Sequence, residues 1–140
     1  MRRKFIFSLV AVFVFASSDF AISQCNPTEL VDACPANIPT GFTFVKSYEL
    51  NALGNTAKKI EKSYVFSKNM TYSLAMCKGD PNVIVKIFDS SRNEVASNFY
   101  DNKTLPSFGF KCGATGIYYM AFSFDKSEKD CAAAVLAFRK

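Results

Sequence analysis

From Phe42 to Phe138 the chain places apolar residues at every second position and interrupts that pattern with clusters of turn-forming residues. This alternation constrains the fold more than any other feature, because a period of two sends successive side chains to opposite faces of a strand. The segments that alternate are 42–50 (FTFVKSYEL), 59–67, 70–78 (MTYSLAMCK), 83–89, 94–100, 107–112, 117–124 (IYYMAFSF) and 131–138. Between them lie ALGNT, SKN, KGDPN, SSRN, DNKTLP, GATG and DKSEKD, rich in the Gly, Pro, Asn, Asp and Ser that turns use. Short strands at this spacing predict an all-β fold, an antiparallel β-sandwich of seven to eight strands and jelly-roll-like.

The alternation also assigns faces. Tyr72, Leu74 and Met76; Val83, Val85 and Ile87; Val95 and Phe99; Phe108 and Phe110; Tyr118, Met120, Phe122 and Phe124; and Leu136 and Phe138 are expected to point inward and form a core rich in Phe. The stretch FGFKCGATGIYYMAFSF, residues 108–124, therefore reads as a core hairpin with a cysteine beside its turn. The opposite faces are not uniformly polar: Ile84, Phe88, Tyr119, Ala133, Val135 and Ala137 fall on the nominal solvent side. Either the N-terminal segment or a central position covers them, or they form an apolar contact surface for a partner. On the second reading, Ile84, Phe88, Tyr119 and Val135 are the partner-contact candidates.

The N-terminus reads as an export signal. Arg2, Arg3 and Lys4 precede an apolar run from Phe5 to Ala16, too short to span a membrane, and Ala21-Ile22-Ser23 offers the small residues of a cleavage site. Residues 1–23 are assigned to this signal and 24–140 to one domain, of 117 residues and net charge +3. A lipoprotein signal acylating Cys25 is the alternative, disfavoured by Gln24 immediately before it. Asn26-Pro27 then predicts a short helical turn that ends at Cys34-Pro35. The expected location is outside the cytoplasm: periplasmic, outer-membrane-associated or extracellular.

Five cysteines in a small exported chain predict disulfides. If consecutive strands are antiparallel, Cys77 and Cys131 fall at one end of the sandwich and Cys112 at the other. The lead-in carrying Cys25 and Cys34 is expected to enter near Cys112. Cys77 with Cys131, and Cys112 with Cys34 or Cys25, are the expected pairs, with a local Cys25–Cys34 bridge in competition.

Histidine is absent, which removes Ser-His-Asp and Cys-His nucleophile systems and His-containing zinc sites. The carboxylates Asp80, Asp89, Asp101, Asp125, Glu128 and Asp130 lie in predicted turns, so no carboxylate pair for glycoside hydrolysis is expected. No enzyme activity, metal or cofactor is assigned. Calcium at Asp125, Glu128 and Asp130 is weighed and set below a solvated loop, because Lys126 and Lys129 interleave. Asn69-Met70-Thr71 and Asn102-Lys103-Thr104 match the glycosylation pattern, which has meaning only in a eukaryotic host. Scattered lysines give no nucleic-acid footprint.

The order KSYVFSKNMTYSLAM, NVIVKIFDSSRNEVASN, TGIYYMAFSF resembles the secreted jelly-roll-like modules of the bacterial pre-peptidase C-terminal type, over roughly residues 58–138. Small exported proteins of the Bacteroidetes resemble it further, with a cysteine before the Thr-Gly-Ile-Tyr-Tyr run and a final Cys plus Leu-x-Phe strand. The resemblance implies a non-catalytic module that binds or assists display or secretion; no binding residues carry over. The expected function is protein binding in the cell envelope, as an accessory subunit of an outer-membrane or secretion assembly. A carbohydrate-binding module using Tyr119, Tyr100 and Tyr48 is the alternative.

Overall fold

The computed structural model describes residues 25–77 and 82–140. Residues 1–24, which hold the expected signal segment and its expected cleavage site, and residues 78–81 lie outside the described residues. A short helix α1 (Pro27–Asp32) and a 3-10 turn (Cys34–Asn37) lead into β1 (Thr43–Asn51), β2 (Lys59–Phe66), β3 (Thr71–Met76), β4 (Ile84–Phe88) and β5 (Glu94–Ser97). A two-stranded hairpin follows, β6 (Phe99–Tyr100) and β7 (Lys103–Thr104), and then β8 (Ser107–Lys111), β9 (Gly116–Ser123) and β10 (Cys131–Arg139). The chain is thus an all-β sandwich of two four-stranded antiparallel sheets, β1-β10-β3-β8 and β2-β9-β4-β5. We call them the first and second sheets.

The core lies between the sheets because the alternation works as expected on most strands. Leu74, Val83, Val85, Ile87, Tyr118, Met120, Phe122, Phe124 and Leu136 are all buried in one cluster. Phe66 stacks on Tyr72 at 4.3 Å and on Tyr118 at 5.1 Å, with Phe110 at 5.3 Å. Tyr72 is the second residue of β3 and Phe66 closes β2, so this aromatic cluster sits beneath the turn that joins the two sheets. Aromatic pairs of this kind add roughly 0.5–1.5 kcal/mol each beyond their buried area.

One expected face is reversed. Val95 was expected inward, but it is exposed and Ala96 packs on the core instead. The cause is a register shift between Ile87 and Phe88, where β4 pairs with β5; one extra residue flips every later side chain of the short strand. The expected strand 94–100 also breaks at Asn98, whose buried side chain bonds the backbone of β4 and of Leu105. Residues 99–104 leave the sheet as a separate hairpin, so Phe99, expected inward, stands outside the core cluster with Lys126 over its ring at 4.5 Å.

The N-terminal segment supplies a third layer. Asn26 caps α1 by accepting from the Thr28 N–H at 3.2 Å, and Pro27 occupies the first turn, where its missing N–H is no loss. Leu30, Val31 and Ile38 then pack on Ala75, Ala133 and Val135, on the outer face of the first sheet. Alanines on β3 and β10 let the helix approach closely.

Two disulfides fasten this layer, Cys25–Cys131 and Cys34–Cys77, with Cα separations of 5.9 and 4.8 Å. The expected pairings are therefore overturned. Strand direction does place Cys77 and Cys131 together and Cys112 at the far end, since Asn51 pairs with Cys131, Met76 with Ala134 and Thr71 with Lys111. The error lay in the lead-in. It crosses the outer face of the first sheet before it enters β1, so both of its cysteines meet the Cys77–Cys131 end. Cys25 is thereby bridged rather than available to a lipid.

Candidate functional site

Among the described residues, α1 covers the outer face of the first sheet and leaves the outer face of the second sheet open. Its side chains are fixed by register. Ser63 faces Tyr119 and Val65 faces Ile117 across β2 and β9; Phe88 faces Tyr119 and Ile84 faces Ser123 across β4 and β9. Val65 and Ile117 are 57 % and 48 % exposed, respectively, and with Ser63 and Tyr64 they line a shallow groove of about 410 Å³. Tyr119, Phe88 and Ile84 are half-buried.

A turn at residues 89–93 decides how much of Tyr119 is available. Asp89 Oδ1 accepts from the N–H groups of Ser91 and Asn93, both at 2.9 Å, and Asn93 Nδ2 donates to Oδ2 at 3.2 Å. These bonds, led by the Asn93 N–H, hold the Asp89 carboxyl below the ordinary carboxylate range. The turn projects Arg92, whose guanidinium lies 3.8 Å from the centre of the Tyr119 ring and donates to Glu61 Oε2 at 2.8 Å. The Glu61 hydrogen bond raises the guanidinium pKa further. Arg92 thus roofs the middle of the face, and the apolar surface open beside it is Val65 and Ile117.

Of the four residues expected to contact a partner, Ile84, Phe88 and Tyr119 share this face. Val135 does not: it is buried under α1 with Ala133, as the covering reading anticipated. Val65 and Ile117 were missed by sequence reasoning. The signal was there, since SYVF and GIYY each place a β-branched residue on the non-core side. Only the pairing of β2 with β9 makes the two neighbours.

Cys112 is a buried free thiol rather than a staple. Its Sγ donates to the Ala114 carbonyl at 3.1 Å and sits 3.6 Å from the Tyr118 hydroxyl, which itself donates to Ala114 at 2.8 Å. Burial, followed by the thiol contact, raises the Tyr118 pKa. These groups close the GATG turn internally and face the core.

The acidic loop has partners of its own: Asp125 accepts from Ser123 at 2.9 Å and Asp130 pairs with Lys58 at 3.4 Å. No metal-binding group of three or more His, Cys, Asp or Glu exists among the described residues. The three tyrosines weighed for sugar stacking do not share a surface. Tyr48 is in the core, Tyr119 lies under Arg92, and Tyr100, 78 % exposed, stands on the β6–β7 hairpin. No helix among the described residues is long and apolar enough to cross a membrane.

No protein-family model and no curated protein matches the chain, so the pre-peptidase resemblance rests on the quoted motifs alone. Among solved structures, the chain is similar to PliG of Aeromonas hydrophila, a periplasmic inhibitor of g-type lysozyme, with a TM-score of 0.47 and 13 % identity. The match covers 73 % of this chain and 90 % of that one.

Proposed function

We propose that this is an exported, non-catalytic protein that acts by binding another protein through the outer face of its second sheet, as an accessory component of a bacterial envelope or secretion assembly. One observation carries the reading: the two outer faces of the sandwich are treated differently. The first is buried beneath a helix fastened by two disulfides. The second keeps Val65 and Ile117 paired and open to solvent, next to an ordered Arg92–Tyr119 stack. Other exposed apolar residues, such as Leu53, Val95 and Leu105, lie on separate turns or edges. Arg and Tyr are the residue types most used as interface anchors, and apolar pairs beside them supply the desolvated centre.

The test is co-purification after mild cross-linking of the native protein in its own cells, comparing wild type with Val65→Glu and Ile117→Glu. Both side chains face solvent, so the variants are expected to fold normally and to lose the partner. A partner retained at wild-type levels by both folded variants rules out this face.

A further inference from the structure

The second sheet ends in a strand edge whose features go beyond an apolar face. The two sheets have four edge strands: β1, β8, β2 and β5. Three are blunted. β1 carries a register irregularity between Phe44 and Lys46 and packs against α1. β8 has only five residues, and β5 has four with a bulge at Val95. Such devices are how sandwiches prevent unwanted strand pairing. β2 is different: eight residues in unbroken register with β9.

The hydrogen-bond parity of β2 follows from one bond. The Phe124 N–H donates to the Lys58 carbonyl at 2.8 Å, and the register from Lys59–Ser123 to Phe66–Gly116 has no shift. Antiparallel pairs alternate, so residues 60, 62, 64 and 66 bond to β9, while the N–H and C=O groups of Lys59, Glu61, Ser63 and Val65 point away from the sheet. The first half of this edge is guarded by charge at Lys59, Glu61 and Lys62. The second half, Ser63 to Phe66, carries none, and there the groove of Ser63, Tyr64, Val65 and Ile117 lies alongside the edge.

We propose that the Ser63–Phe66 half of β2 is a strand-addition site for an extended segment of a partner protein that alternates apolar and acidic residues. The outward backbone of Ser63 and Val65 would pair with the incoming strand, and alternate apolar side chains would lie along Val65 and Ile117. Charge selects the acidic character. Glu61 is already bonded to Arg92, whereas Lys59, Lys62 and Lys68 flank the edge with no ion pair among the described residues. The same lysines disfavour a second copy of this chain, whose edge would bring three more positive charges.

This inference rests on the face proposed above, and its test separates the two. The probe is a capped heptapeptide alternating valine with glutamate and threonine, with a lysine-for-glutamate version as control. Amide hydrogen exchange of the wild-type protein is followed residue by residue with and without each peptide, and binding is measured for Ser63→Pro, which removes an outward N–H but no bond to β9. The expected result is slowed exchange at Ser63 and Val65, at least tenfold weaker binding by Ser63→Pro, and no binding of the basic peptide. No slowed exchange at these amides with millimolar acidic peptide overturns strand addition. So does binding that Val65→Glu weakens and a folded Ser63→Pro leaves unchanged, although the face itself would then stand. Loss of the face reading shows separately, as native co-purification indifferent to Val65→Glu.

Discussion

Tyr48 offers a sharp test of how the core is built. Its ring is 5 % exposed on β1 and its hydroxyl is buried with no hydrogen-bond partner among the described residues. Burial, with Tyr64 nearby, pushes its pKa from 10.0 up to about 12. An unpaired buried hydroxyl costs about 1–3 kcal/mol, so Tyr48→Phe, which keeps the ring and deletes the oxygen, is expected to stabilise the fold by about 1 kcal/mol at pH 7. The pH dependence has a definite sign. A pKa raised on folding means that the unfolded chain loses its proton first, so this contribution is intact below pH 10 and is lost as pH rises through about 12. At pH 11, midway through that window, the shift is worth about 1 kcal/mol after allowance for screening at an edge strand. Urea denaturation of both proteins at pH 7 and pH 11 reads the difference, because all other titrating groups are common to both. The stability gap should widen from about 1 to about 2 kcal/mol in favour of the variant. A variant less stable than wild type at pH 7, with a gap that does not grow at pH 11, refutes the reasoning.

Three further outcomes follow from the packing. Replacing Cys34 and Cys77 by alanine opens a loop of 43 residues and is expected to cost about 4 kcal/mol on the chain-entropy account, measured by denaturation under non-reducing conditions. Asn98→Ala strands two buried backbone groups, the Val85 N–H and the Val83 carbonyl, and frees the part-buried Leu105 carbonyl, and should cost about 2–3 kcal/mol while raising exchange in the 99–104 hairpin. Thiol titration of the oxidised protein should find no reactive group in the native state and one per chain in denaturant, Cys112, because it is 1 % exposed.

Much of this fold was legible in the sequence because burial imposes the period-two code directly. The core residues of β3, β4, β9 and β10 all follow it. It failed where one residue of bulge reset the phase, at Val95, since nothing in EVASNFY marks the shift opposite Ile87. The disulfides were misassigned for a different reason: strand direction gives the end at which a strand cysteine lies but not the path of a lead-in that is not a strand. Helix α1 crosses the sheet because Leu30 and Val31 have an apolar face to cover, and that face holds Ala133 and Val135, which alternation alone leaves to either a cover or a partner. The candidate site was half visible for the same reason. Alternation marks Tyr119 and Phe88 as off-core, but cross-strand register decides that Val65 joins Ile117, and the Asp89 turn decides that Arg92 covers Tyr119.

Site-specific photo-cross-linking tests the central claim most directly. A photoreactive phenylalanine analogue is placed at Ile117, on the open face, or at Leu53, which is apolar and even more exposed but lies in the turn after β1. Irradiation of cells exporting each variant should give a discrete adduct of higher mass from position 117 and none from position 53. Adducts from both positions alike, or from neither, would contradict an account in which the outer face of the second sheet is where this protein meets its partner.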